Sequence, residues 1–497
     1  MGFSAAEVLG ELFSDCNDKD ILLPETTIET DSRKVSPGAV FVAIPGVRCN
    51  GSDFIADAIH KGAGAIVYSG ENHCEISGAE NILWCRVSSA RNAAARLYRH
   101  FYGYPDQDLR IYGVTGTNGK TTSAYLLRHI LESTGNRCGL VSTVEFFNGR
   151  NSVPATHTTP DPKTLYALFQ EMQNNGADYA AMEFSSHALA QNRLDNLQIR
   201  GAIFTNLTGD HLDFHQNMDN YYAAKKTLFT GMIQTGGVAA INVDDPFGVK
   251  LAEELKKLRP DLLLPTFGRS PDAGWRISET GSDESGCRFV LSNAEQAFEV
   301  SFPLAGEYNI SNLAGAITLL LCDGVAPEAV NEALQKPLTV PGRLEKFVSP
   351  AGANFFVDYA HTDDALRNVL ETLRKVCRKR LIAVFGAGGD RDRSKRPRMG
   401  RVAAEKADHL IITSDNPRSE SPEEIIEEIC SGIPENFAVT TEKIPLRKKA
   451  LHRAVEIAGD GDIVLIAGKG HENYQEINGG RYHFDDREIL LDCFGAK

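Results

Sequence analysis

Residues 113–122, GVTGTNGKTT, combine two glycines, a lysine and a run of hydroxyls at spacings suited to holding a phosphate. Gly116 and Gly119 permit a tight turn in which backbone N–H groups face an anion. Lys120 has the reach to meet β- and γ-phosphates, and the Thr121 hydroxyl suits a Mg²⁺ ion. A full P-loop carries a further glycine five positions before Gly119, where this chain has Val114, so the pattern is the shorter G-x-x-G-K-T-T. Three other segments carry titratable groups that fit such a loop. Glu183 in AMEFSSHALAQNR closes an apolar run and is placed to complete a Mg²⁺ shell, which favours one or two carboxylates with phosphate and water. His211 stands beside acidic residues in NLTGDHLDFH, and YYAAKKTLF puts Lys225 and Lys226 on a helix. Singly, each has a plainer role: a carboxylate capping a helix, a surface histidine, a solvated helix face. A phosphate loop alone also serves motors, switches and kinases.

The loop needs a strand before it and a helix after it. LRIYGVTG supplies a buried strand, and TTSAYLLRHILESTG has apolar residues at helical spacing and ends in glycine. ADYAAMEFSS and IRGAIFTNLT read as further buried parallel strands, and AGEYNISNLAGAITLLL as turn residues leading into a helix. The repeated strand–turn–helix pattern predicts a doubly wound α/β domain over residues 105–337. Residues 1–104 hold shorter strands such as AVFVAIPG and form a smaller α/β domain, closed by a linker at FYGYPDQDLR. Residues 338–497 bring their own strands, FFVDYA, RLIAVFGAGG, HLIITSDN and DIVLIAGKGH, each ending in polar or glycine residues. In open α/β sheets that edge is where ligands bind.

The whole chain sets limits. Its 497 residues suggest about three domains, and a net charge of −14 argues against a nucleic-acid surface. Cys16, Cys49, Cys74, Cys85, Cys138, Cys287, Cys322, Cys377, Cys430 and Cys493 form no CxxC pair or zinc-like cluster. They read as reduced thiols of a cytoplasmic protein. The first twenty residues lack the pattern of a signal peptide, and no apolar run approaches membrane-spanning length.

Together the segments GTNGKTT, MEFSSH, TNLTGDHLDFH, AAKK, GEYNISNLAGA, PGRLE, VDYAHT, GGDRDRSKRP, DNPR and GKGHE resemble, in order, the Mur ligase family. These are ATP-dependent amide-forming enzymes of peptidoglycan precursor synthesis. The resemblance runs over essentially the whole chain. It implies a UDP-substrate domain, a central P-loop ATPase and a C-terminal Rossmann-like domain. It further implies that Gly116, Thr117, Asn118, Gly119, Lys120, Thr121 and Thr122 bind ATP phosphates. Thr121, Glu183, His211 and a carbamylated Lys225 would serve Mg²⁺, with Lys226 competing for that last role. Asn309 and Asn312 would hold adenine, while Arg343, Asp358 and His361 close the C-terminal domain over the nucleotide. Ser32 resembles a uridine-diphosphate contact; His157, Thr158, Thr159, Ser185, Gln191 and Arg193 align with contacts to the muramoyl dipeptide. The family often has asparagine where this chain has His157.

DNPR, the residues Asp415, Asn416, Pro417 and Arg418, is similar to the motif of the family's meso-diaminopimelate-adding member. Arg418 has the fork to grip that substrate's distal carboxylate, which lysine lacks. Arg391, Gly468 and Glu472 would join it, Glu472 suiting an ammonium. The implied substrates are ATP, UDP-MurNAc-L-Ala-D-Glu and meso-diaminopimelate, joined through an acyl phosphate by a monomeric cytoplasmic enzyme with no membrane or nucleic-acid partner. Four alternatives are a lysine-adding relative, a ligase of the folylpolyglutamate synthetase type, a P-loop switch or motor, and a ligase-like protein that only binds nucleotide.

Overall fold

The computed structural model describes residues 2–12, 22–46, 49–70, 81–283 and 286–495. Cys16 and Cys74 lie outside them; the cysteines within them are free thiols. No described helix is long and apolar enough to cross a membrane.

Three main sheets organise the chain. The first is a parallel four-stranded sheet of Ile28–Glu29, Val40–Ala43, Ala65–Tyr68 and Leu83–Arg86. Helix Ala90–Phe101 packs on it through a run of alanines, with Ser89 capping its start. That helix also ties the sheet to the next domain. Its Arg96 Nε donates to Asp195 Oδ2 at 2.7 Å, and Leu97 and Tyr98 share one apolar core with Tyr166 and Phe169.

The central sheet has eleven strands. Arg110–Thr115 lies inside it, flanked by Tyr179–Glu183 and Ile199–Phe204, both parallel to it. Chain order reverses at this strand, so its carboxyl end opens a crevice of the kind that binds ligands. Helices Lys120–Glu132 and Glu307–Cys322 cover one face with a continuous apolar core. The sheet is parallel at its centre, as the strand–helix alternation predicts. Its margins depart from that pattern: Glu145–Phe147 and Ser152–Pro154 on one side, and Gly286–Ser292 and Ala297–Phe302 on the other, run antiparallel. Short turns, not helices, join these strands, so they can only return alongside their neighbours.

The third sheet has six strands. Asn354–Asp358, Ile463–Ala467, Leu381–Phe385, His409–Ile412 and Thr440–Lys443 run parallel, with Glu345–Val348 antiparallel at one edge. One edge strand, Glu345–Val348, is half polar and the other, Thr440–Lys443, wholly polar, so no apolar run announces them in the sequence. This domain has separate cores on its two faces. It meets the central domain across a cleft through polar contacts. Asp364 Oδ2 accepts from Asn118 Nδ2 at 3.1 Å and from the Thr208 hydroxyl at 3.2 Å, and Arg343 Nη2 donates to Thr121 Oγ1 at 2.9 Å.

Candidate active site

The phosphate loop follows the buried strand Arg110–Thr115 and ends at Gly119, the first cap of helix Lys120–Glu132. Gly119 has φ 85°, and a Cβ there would lie 2.2 Å from Asn312 Oδ1; one on Gly116 would lie 1.9 Å from Thr205 Oγ1. Only glycine fits either place. The loop is braced from outside its own sequence. Asn118 N donates to Asn206 Oδ1 at 2.9 Å, and the Thr205 hydroxyl donates to Asn118 O at 2.6 Å. Lys120 Nζ folds back onto Gly116 O at 3.0 Å and Thr117 O at 2.8 Å. Its burial lowers its pKa, and the charges of Glu183 and Asp210 oppose that shift.

Glu183 ends its strand fully buried. Thr143 holds both carboxylate oxygens: its N–H donates to Oε1 at 2.7 Å and its hydroxyl to Oε2 at 3.0 Å. Nothing in local spacing announces Thr143, forty positions earlier. His211 takes a left-handed φ of 55°, with Nε2 3.4 Å from Asp210 Oδ2 and its ring edge-on to His187. Lys225 is buried, donates to Gly116 O at 2.7 Å and sits 4.6 Å from the Tyr221 ring centroid. Burial pushes its amine well below the ordinary lysine range. Lys226 turns away to Glu254 Oε2 at 3.0 Å, because adjacent helical residues face about 100° apart. The geometry therefore selects Lys225 for the loop.

Burial holds the His211 imidazole down to about 4 and that of His471 down to about 3. Both rings are neutral when folded, whereas unfolded histidine takes a proton near pH ~6.5. Unfolding therefore takes up protons below about pH 6.5, and stability is lost as pH falls from there towards about 4. The thermal midpoint is expected to drop between about pH 7 and about pH 5, and less steeply in the double variant His211→Asn, His471→Asn. An unchanged slope in that variant would remove these rings as the cause.

One cavity of about 1130 Å³ runs from the loop across the interdomain cleft. Thr117, Asn118, Gly119, Lys120, Thr121 and Thr122 line one end, with Glu183, His211 and Lys225 beside them. Gly116 contributes its carbonyl to both lysines from behind. Asn312 lines the cavity, and its Nδ2 donates to Asn309 Oδ1 at 3.0 Å in the layer beneath. Arg343, Asp358 and His361 form the opposite lip. Asp358 is held by the N–H groups of Leu344 and Ala360, each at 2.8 Å, and burial raises its pKa.

His157, Thr158, Thr159, Ser185 and Arg193 line the middle wall. The Thr159 hydroxyl donates to the Glu183 backbone O at 2.8 Å and accepts from Ser185 N at 3.0 Å, so this wall is tied to the end of the Glu183 strand. Gln191 stands behind it, accepting from Arg193 Nε at 2.8 Å. Ser32 is buried in the N-terminal domain and is not part of this lining. At the far end the lining reaches Arg391 and Glu472. Asp415, Asn416, Pro417, Arg418 and Gly468 are not part of that lining, though Asn416 bonds Glu472 and the Arg418 side chain stays partly exposed. Glu472 Oε2 accepts from Asn416 Nδ2 at 2.9 Å and from Lys469 Nζ at 3.0 Å. Lys469 is a fully buried cation to which the sequence pattern assigns no role.

Comparison with known proteins follows the same three-part division. Residues 114–320 match the Mur ligase middle domain, residues 342–470 the Mur ligase glutamate ligase domain, and residues 26–102 a segment described as the Mur ligase family catalytic domain. The chain belongs to the Mur ligase family. Among curated Mur ligases, the UDP-N-acetylmuramoyl-L-alanyl-D-glutamate–2,6-diaminopimelate ligase of Gloeobacter violaceus is 42% identical over 471 residues, 95% of this chain and 94% of that one. The protein of the same name from Clostridium perfringens is 38% identical over 473 residues, 95% of both chains. A solved structure of a ligase bearing that name is 33% identical with a TM-score of 0.68, covering 100% of this chain and 99% of the other. The chain is thus an ATP-dependent, amide-forming Mur ligase.

Proposed function

We propose that this Mur ligase joins meso-diaminopimelate to UDP-MurNAc-L-Ala-D-Glu at the expense of ATP, in cytoplasmic peptidoglycan precursor synthesis. The observation that carries the reading is a single cavity linking the phosphate loop at Lys120 to the Arg391 and Glu472 end, where Glu472 bonds Asn416 of the DNPR segment. The segments 1–104, 105–337 and 338–497 then act as nucleotide-substrate, ATP and amino-acid domains.

The residues divide the chemistry. Thr158, Thr159, Ser185 and Arg193 orient the D-glutamyl carboxylate towards the γ-phosphate. Lys120 and the loop N–H groups offset the charge that accumulates as the carboxylate oxygen attacks phosphorus. ADP leaves, and an acyl phosphate remains. The free amine of diaminopimelate then attacks the activated carbonyl, and phosphate departs from the tetrahedral intermediate. Closure of the third domain keeps water from the acyl phosphate. Mg²⁺ supplies further charge neutralisation when bound. Thr121, Glu183, His211 and Lys225, once carbamylated, would hold it; among the described residues no three His, Cys, Asp or Glu side chains form a metal cluster of their own. Such a donor set fits a hard ion that takes most ligands from phosphate and water.

A lysine-adding enzyme is the nearest second reading. The Arg418 guanidinium disfavours it, since lysine brings no distal carboxylate to the guanidinium donors that the protein leaves unused. The folate-type ligase is disfavoured by the N-terminal domain carrying Ser32. The test is phosphate release from ATP with UDP-MurNAc-L-Ala-D-Glu and either meso-diaminopimelate or L-lysine, with product mass checked. Turnover and the tripeptide mass are expected only with meso-diaminopimelate. Turnover with lysine alone would discard the amino-acid assignment; phosphate release with no amino acid and no new mass would discard the ligase step.

A further inference from the structure

The cluster around Arg418 contains a carboxylate that none of the family motifs quoted above includes. Glu476 lies on strand Tyr474–Ile477, half of a hairpin with Gly480–His483. The Arg418 backbone is pinned to this strand. Arg418 N donates to Glu476 O at 3.0 Å, Asn478 N donates to Arg418 O at 2.7 Å, and Arg418 takes a left-handed φ of 53° between them. The side chain is pinned as well. Arg418 Nε donates to Glu476 Oε2 at 3.0 Å, and Nη1 donates to Gly389 O at 2.7 Å. Glu476 is itself located by its N–H, which donates to Asn416 Oδ1 at 3.0 Å.

A guanidinium has five N–H donors in a planar fork. Two are used here, one on Nε and one on Nη1. Three donors are left over, one on Nη1 and both on Nη2, and a carboxylate can take them. With the Nε side unanchored, the guanidinium would be free to turn, and a bound carboxylate would have to freeze it. A flexible arginine loses rotamer entropy when a ligand fixes it, so anchoring it before substrate arrives favours binding.

We infer that Glu476 is a positioning residue for amino-acid specificity: it fixes Arg418 so that the remaining guanidinium donors receive the distal carboxylate of the incoming diamino acid. This rests on the proposed function and deepens it. Glu476 acts through Arg418 and touches no reacting atom. Its charge also balances Arg418 in the absence of substrate, so a substrate lacking the distal carboxylate gains nothing by entering.

The experiment is steady-state kinetics on the full chain for Glu476→Ala, Glu476→Gln, Arg418→Ala and the double variant. Glu476→Ala is expected to raise KM for meso-diaminopimelate about tenfold or more, the effect of losing one hydrogen bond to a charged group, with KM for ATP and for the UDP substrate unchanged. Glu476→Gln keeps an acceptor for Nε and is expected to recover most of that loss. In the Arg418→Ala background, Glu476→Ala is expected to add nothing, because the two residues act as a unit. Additive losses, or an unchanged KM in Glu476→Ala, would overturn the inference. A wild-type enzyme that uses L-lysine and not meso-diaminopimelate would overturn the proposed function and this inference together. The wild-type measurement therefore separates the two failures.

Discussion

Replacing Lys120 with alanine is expected to lower kcat by about 10³-fold, the upper range for removing one preorganised donor from a developing oxyanion. Lys120 heads the helix that follows the loop, so its ammonium adds to the positive end of that helix where phosphate charge would gather. Its two bonds, to Gly116 O and Thr117 O, are to neutral carbonyls. Phosphate oxygens are stronger acceptors, and moving Nζ onto them exchanges neutral partners for charged ones. The burial that depresses its pKa makes the same charge more effective once phosphate is present, because little water screens it. Lys120→Arg keeps the charge but broadens the head in a loop that has no room for a Cβ at Gly116 or Gly119. It is expected to recover only a small part of the loss. Single-turnover acyl-phosphate formation at saturating ATP is the measurement. A rate within about tenfold of wild type for Lys120→Ala would remove the lysine from the phosphoryl-transfer step.

Much of this site is legible in the sequence because its spacing is local. The loop reads from GKTT, since strand, turn and helix are contiguous and each has a periodic signature. Glu183 reads as the last residue of a buried strand, and parallel strands put such ends at one edge. What the sequence hides is held by distant partners. Thr143 locks Glu183 from a separate strand end, Asp364 reaches Asn118 across the cleft, and Glu476 anchors Arg418 from a hairpin. No periodicity connects such pairs. Lys225 and Lys226 show the limit from the other side. They are equivalent on a helix read alone, and only the loop carbonyl on one flank and Glu254 on the other tell them apart. The antiparallel margins of the central sheet were hidden for a similar reason. An alternating run says strand without saying which way it runs.

Lys225→Ala is expected to cost about 10²-fold or more in kcat, and the reason is what burial does to the amine. Lys225 has a protein carbonyl and an aromatic face for company and no carboxylate bonded to it. Desolvation lowers its pKa, and the nearby charge of Lys120 lowers it further. The neutral amine has a lone pair that an ordinary surface lysine lacks at neutral pH. Attack of that nitrogen on CO₂ forms an N–C bond, shifts an electron pair of the C=O bond onto oxygen and releases the amine proton. The product is a carbamate, whose anionic oxygens the nearby Lys120 charge favours where it disfavoured an ammonium. Such oxygens suit a hard cation in the way a carboxylate does. Because only the free amine reacts, the carbamate is expected to be lost as pH falls. With isotopically labelled bicarbonate, a carbonyl signal is expected in the wild-type spectrum and absent from Lys225→Ala. Lys225→Glu places a carboxylate on the same helix face and is expected to retain more activity than alanine. A wild-type spectrum without that signal, together with an active Lys225→Ala, would leave the buried lysine as a brace for the Gly116 carbonyl and nothing more.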